Sequence, residues 1–384
     1  MRRLHIFIIF LIILLVYIGI WFILPKEYLP LHVHDKTVPE PVNYREHREL
    51  FYLSKHWKFT DSQGNYRDFS KDYSGYHPLD NQRKEKLTKE SIGDAKLLYL
   101  ADAYGIYDYE EGLIDYEERL PFELIDIDLL FGGFDENEIK VISDFSRNPE
   151  NTIVGEHNVF GYPTYVYPGS SQALQDLFGV KYEGWLVRYY EDLEEVAYWV
   201  KLLYTRIYGG ELDLKGPGLV VVREDSSRAG WYGDLLIFTD KDFKQQYPLV
   251  ITSDEEHNLT NNVVSKVPYL YWVEVLTVTN NNAKVLANYE FPLNEEALEK
   301  LKIRGIEPLI PAFIYLDEPN MAKRIYFSGD FIDQLPALLP YWLTGSVNIQ
   351  RTMSYLPGIP PQYHFYFRWY APVIKNVKDS YIVN

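Results

Sequence analysis

The chain predicts an α/β fold: a mainly parallel sheet flanked by helices, with a β-rich part at about 218–290 and one N-terminal transmembrane helix ahead of it. Three observations carry this expectation. Lys96–Tyr107 (KLLYLADAYGIY) is an apolar run that stops at Asp102 and breaks at Gly105, as a buried strand entering a loop would. Apolar runs and helical stripes then alternate from residue 94 onward. Leu4–Leu24 is 21 residues without Asp, Glu, Lys or Arg, and at ~1.5 Å rise per residue it spans a bilayer's hydrocarbon core of ~30 Å.

Arg2 and Arg3 precede the apolar segment, which favours a cytoplasmic N-terminus and an exported remainder in the plasma membrane. No small-x-small cleavage site follows it, so an uncleaved signal-anchor is expected, with Trp21 at the interface. Residues 25–45 hold Pro25, Pro30, Pro39 and Pro41 and read as a stalk. His32 and His34 there are an isolated pair, incidental rather than a metal site. Residues 46–93 read as an irregular lead-in.

From 94 to 345 the α/β alternation runs in order. After the first strand comes an acidic connection at 108–123, then a short apolar run ending at Gly132-Gly133. Glu138, Ile139, Val141, Ile142 and Phe145 form a helical stripe over 135–146. Thr152–Gly155 is a short strand breaking into Glu156-His157-Asn158. Ser170–Phe178 is a helix closed by Gly179, Trp185–Tyr190 a strand and Leu193–Tyr208 a helix. Strands follow at 218–222, 234–239, 248–252, 269–278 and 284–290, then a helix at 294–302 and strands at 308–317 and 322–327. Asp330 is placed to cap a helix near 331–343. The tail, 346–384, is aromatic and expected to wrap the domain.

Composition narrows function. The formal charge is −17, without a Lys/Arg cluster to displace counterions, so nucleic acid is not an expected partner. With no cysteine, disulfides, thiolate metal sites and a cysteine nucleophile are excluded. The 34 tyrosines suit a surface for something flat or sugar-like, or simply a tyrosine-rich core. Neither a Gly-x-Gly-x-x-Gly nor a Walker A sequence is present, and no cofactor or metal is expected. Asn258-Leu259-Thr260 matches a glycosylation sequon, and Arg223-Glu224-Asp225 reads as a solvated turn.

The stretches ADAYG, LLFGGFDENE, LQDLFGVKYEGWLVRYY and RIYFSGDFID together resemble extracytoplasmic domains of the class I glutamine amidotransferase-like superfamily, over roughly residues 94–340. The resemblance implies a flavodoxin-like sheet. It also implies a Gly-x-Cys-x-Gly elbow and a late His-x-Glu pair in active members. Here Gly155-Glu156-His157-Asn158-Val159 stands at the elbow, with His157 where the Cys would be. The late strand ends in Gly329-Asp330-Phe331. Amidotransferase activity by that mechanism is therefore expected to be absent.

Asp102, Glu156, His157 and Asp330 remain candidates for acid–base work in a crevice past the strand ends. Their alternative role is to satisfy backbone groups in turns and caps. Tyr104, Gly105, Gly133 and Arg188 are ligand-binding candidates, Arg188 through its planar fork. The leading expectation is a single-pass, membrane-anchored binding or scaffolding protein of the cell envelope, in surface-polysaccharide handling, with a glycan or envelope protein as partner. A carbohydrate-active hydrolase using the four candidates, and an accessory subunit of a membrane complex, are the alternatives.

Overall fold

A computed structural model describes residues 2–37, 42–107, 129–224 and 232–382. The acidic connection at 108–123 lies outside the described residues. The fold is mixed α/β around a ten-stranded sheet whose centre is five parallel strands. Those are Ser74–His77, Leu31–Asp35, Leu97–Leu100, Thr152–Gly155 and Lys323–Phe327, in spatial order. Numbered along the chain, the order is 2-1-3-4-5. Antiparallel strands extend both edges: Arg83–Lys84 on one side, and Leu309–Leu316, Ala283–Glu290, Leu249–Thr252 and Lys266–Pro268 on the other.

Leu97–Leu100 and Thr152–Gly155, at the middle of the parallel group, are short apolar runs because both their faces are covered. On one face Leu31, Val33, Leu97, Tyr99 and Val154 pack under the helix Arg45–His56 and the C-terminal helices, in a core that includes Phe51, Trp369 and Tyr370. On the other, Leu98, Leu100, Ile153 and Tyr326 meet Ile142 of the helix Glu136–Ser146 and Leu174 and Phe178 of the helix Ser170–Phe178. Asp135 and Glu138 close a capping box at the first of these helices.

A second, four-stranded antiparallel sheet runs Tyr232–Thr239, Gly218–Glu224, Val180–Tyr190, Val273–Val278. The helix Tyr198–Tyr208 packs on it through Val200 and Leu203. Glu274 N donates to Ser328 O at 2.8 Å and Val273 bridges Gly329, stitching this sheet to the end of the last parallel strand.

Four expectations are corrected. Leu31–Asp35 is not stalk but the second strand from the edge of the parallel group: His34 is fully buried and its Nδ1 lies 2.7 Å from Ser74 Oγ. Its partner strand approaches so closely that a Cβ on Gly75 would sit 1.6 Å from Asp35 O. Within the lead-in, Arg45–His56 is a regular helix. Residues 331–343 do not form a helix, because Pro336 and Pro340 remove amide donors and bar helical backbone for the residues before them. Glu224 is not solvated: its Oε1 accepts from Tyr162 N at 3.3 Å. The tail packs as helices Pro361–Phe365 and Ala371–Ile382, joined by a π-turn.

One helix, Arg2–Ile23, includes a 19-residue stretch, His5–Ile23, with mean hydropathy 3.2, long and apolar enough to cross a membrane. Its C-terminal end is packed against the body. Trp21 Nε1 donates to His56 O at 3.1 Å, its ring lies 5.6 Å from that of Tyr341, and Thr344 Oγ1 donates to Tyr17 O at 2.5 Å.

Candidate functional site: an acidic cluster at the strand ends

Parallel strands deliver their carboxyl ends to one edge of a sheet, where open α/β folds bind ligands. Here four neighbouring strands each bring an acidic residue to that edge. The first ends in Asp35, and the next is followed by Asp102, the next by Glu156 and the last by Asp330. The helix Arg45–His56 adds Glu46 in its first turn, and the loop after the last strand adds Asp333. Glu46, Asp330 and Asp333 each place a carboxylate oxygen within 4.8 Å of the other two.

Hydrogen bonds hold most of these groups. Asp35 accepts from Thr37 N at 2.8 Å and pairs with His47 Nδ1. His47 is steadied in turn by Phe69 O at 2.7 Å from Nε2. Asp102 Oδ1 accepts from Tyr104 N at 2.6 Å. Glu156 Oε2 accepts from Ile332 N at 3.4 Å, the amide lying between Asp330 and Asp333. The Arg45 guanidinium bridges Glu46 Oε1 at 3.3 Å and Asp333 Oδ1 at 3.2 Å. Glu46 Oε2 and Glu156 Oε1 are buried without a hydrogen-bond partner.

Burial and mutual repulsion make the anions costly. Burial pushes Asp102 up to about 7, with Asp35 adding to it and Tyr104 N opposing. Glu156 is raised well above the usual carboxylate range by burial, then by Asp102 and Asp333. Asp330 is raised by burial, Asp333, Asp102 and Glu156, and Glu46 by burial, Asp330 and Asp333. Burial raises Asp333 as well, against the pull of Arg45 and Arg188. Three of the four acid–base candidates therefore share one electrostatic neighbourhood.

His157 does not join them as a proton carrier. It is buried, and burial lowers it to about 3, against a hydrogen bond to the Ser328 backbone. Arg188 projects from Val180–Tyr190 into an aromatic surround, its guanidinium 4.7 Å from the Tyr190 ring centre, 5.6 Å from Tyr271 and 5.7 Å from Trp272. It lies close enough to the acidic cluster to favour the Asp333 anion. The Tyr104 ring lies tilted against that of Tyr107, 5.0 Å between ring centres.

Gly105 and Gly133 serve close chain approach: a Cβ on Gly105 would meet Phe131 O at 2.2 Å, and one on Gly133 the Pro163 backbone at 2.9 Å. Gly133 O also accepts from Lys36 Nζ. That ammonium is fully buried and pairs with Glu138 at 2.6 Å.

Sequence reading missed Asp35, Arg45, Glu46, His47 and Asp333. Asp35 and Arg45 fall in a stretch whose prolines suggested a stalk, and Glu46 and His47 in one that read as an irregular lead-in. Asp333 was hidden by reading Asp330 as a cap, and the Asp-x-x-Asp spacing was the available signal. Glu46, Asp330 and Asp333 are hard oxygen donors of the kind that hold Ca²⁺ or Mg²⁺, though Arg45 already supplies positive charge there. A carboxyl such as Asp102, poised near neutrality, can give and take a proton at working pH.

No family model matches the chain, and no curated protein matches it. Among solved structures it is similar to a glutamine amidotransferase from Thermotoga maritima, at 9% identity over 93% of this chain and 97% of that one, with a TM-score of 0.33.

Proposed function

We propose that the chain is a single-pass, membrane-anchored protein of the cell envelope, with its body outside the cytosol, that binds a neutral or amino-bearing glycan at the acidic cluster. The observation that carries this is the gathering of Glu46, Asp102, Glu156, Asp330 and Asp333 beside Arg188 and its aromatic surround. Carboxyl groups exchange hydrogen bonds with sugar hydroxyls, an entering ammonium group favours their ionised form, and aromatic faces cover the apolar faces of sugar rings. The 2-1-3-4-5 order of the parallel strands supports a flavodoxin-like winding, in which ligands sit at this edge. A chain without cysteine has no thiol for amidotransfer.

The test is glycan-array binding by the full chain in nanodiscs. Neutral or amino-sugar oligomers are retained, and Asp333→Asn with Glu46→Gln weakens them about tenfold, roughly 1.4 kcal/mol. Retention of acidic glycans alone, or unchanged binding by the double variant, would sink the reading. A hydrolytic role is a second reading, favoured by Asp102 titrating at about 7 beside other carboxyls. Release of reducing ends by the wild type, lost in Asp102→Asn with binding intact, separates catalysis from simple retention.

A further inference from the structure

Beside the C-terminal end of the apolar helix lies a cavity of about 690 Å³, bounded by Trp21 and Leu24 on one side and by Thr344 and Val347 on the other. Its walls also carry Lys58, Arg351, Lys375 and Lys378, against the single carboxylate of Glu27. That balance is the reverse of a chain whose formal charge is −17. Lys378 pairs with Glu27 at 3.2 Å and Lys375 with Asp379 at 2.8 Å. Among the described residues, Lys58 and Arg351 have no carboxylate within salt-bridge reach. Lys58 Nζ instead lies 4.0 Å from the Trp21 ring centre, and Arg351 donates to Asn262 O at 2.6 Å.

The segment that leads into the Thr344–Arg351 wall of this cavity is equally unlike the rest of the surface. Residues 334–350 (QLPALLPYWLTGSVNIQ) contain no charged side chain, in a protein where 24% of residues are charged. Leu338 is 54% exposed, and Trp342, Tyr355 and Leu356 are exposed beside it. This segment is tied to the apolar helix by the Thr344–Tyr17 hydrogen bond and the Tyr341–Trp21 ring contact. Wherever the helix end meets the bilayer surface, the segment meets it too. Apolar and aromatic side chains at that depth enter the acyl boundary, and cations just above it meet phosphates.

We infer that the cavity between the anchor helix and the 344–351 segment is a binding site for an anionic phospholipid of the leaflet in which the anchor ends, with residues 335–343 inserted as an apolar lip. The headgroup phosphate is held by Arg351, Lys58 and Lys375, and the acyl chains run down beside Phe22 and Leu24. The inference rests on the anchor reading of the N-terminal helix, and it fixes how far the acidic cluster can turn relative to the membrane.

The test uses the full chain in phosphatidylcholine vesicles and nanodiscs, with and without phosphatidylglycerol. Flotation with vesicles comes first, since a chain that stays in solution overturns both the anchor and the site built on it. In a chain that floats, phosphatidylglycerol raises the unfolding temperature over phosphatidylcholine alone and stays bound in native mass spectrometry. Arg351→Gln with Lys375→Gln reduces that retention several-fold while flotation is unchanged. Because the protein has no cysteine, Leu338→Cys takes a single spin label. That label is relaxed by oxygen and shielded from a water-soluble nickel reagent, whereas a label at Leu79→Cys is not shielded. Equal retention of the two lipids, stabilisation by inorganic phosphate in place of the lipid, or a label at 338 as open to nickel as one at 79 would each overturn the proposal while leaving the anchor standing.

Discussion

Single buried carboxyls show how this protein tolerates so much acid in its interior. Glu274 is fully buried between Tyr326, whose hydroxyl donates to it, and Asn158 N at 3.1 Å. Burial raises it well above the ordinary range, and nearby Glu224 adds to this. A carboxyl raised on folding leaves stability intact below its unfolded pKa and removes it as pH climbs toward the folded value. Glu274→Gln keeps the shape and drops the charge, so denaturant unfolding at pH 8 should show a gain of about 1–2 kcal/mol, and at pH 5 almost none. A loss at both pH values would mean that the Tyr326 and Asn158 bonds need the carboxylate itself. None of this was legible in sequence: Glu274 lies in a run that reads as an ordinary strand, and only the second sheet's stitch to Ser328 buries it. Asp102 and Glu156 were legible, because a charged residue directly after an apolar run marks a strand's end wherever that strand falls in the sheet.

At the scale of elements, apolar periodicity found the α-helices Glu136–Ser146, Ser170–Phe178, Tyr198–Tyr208 and Glu295–Lys302 to within about five residues. Its failures are instructive. The strand Leu31–Asp35 carries two histidines and an aspartate, so nothing in LHVHD resembles a buried central strand. Beyond the local bond from Thr37 N, it is Ser74, His47 and Glu138, elsewhere in the sequence, that partner those side chains inside. The tail reads as aromatic wrapping but forms a packed layer. Trp369 is fully buried among Phe313, Phe327, Phe331 and Phe365, and its Nε1 donates to Thr252 Oγ1 at 3.0 Å. Trp369→Ala should cost about 3–5 kcal/mol in urea unfolding. Trp342→Ala, on the exposed lip, should change detergent-solution stability by no more than about 0.5 kcal/mol. Similar costs for the two would contradict this division between core layer and lip.

For the whole molecule, opposing titrations set a stability maximum on the acid side of neutrality. Raised acids such as Glu224, which burial moves up to about 7, lose their contribution as pH rises from about 4.5. Burial lowers His32 and His157 to about 3, so these are neutral when folded and lose stability as pH falls below about 6.5. Glu138 works in the same direction: against burial, His34 and Lys36 hold it down to about 2, and its contribution fades as pH drops below about 4.5. Unfolding temperature scanned against pH should therefore peak near about pH 6. A plateau rising through pH 8 would show the acids to be ionised in the native state.

The strand Leu31–Asp35, early in the chain, sits inside the parallel group, and the last helices cover one face of it. Both ends of the chain must be present before that face can close. A polypeptide made amino-end first thus carries this early strand unable to settle until residues 361–382 have been added. Closure of that face is post-translational by topology.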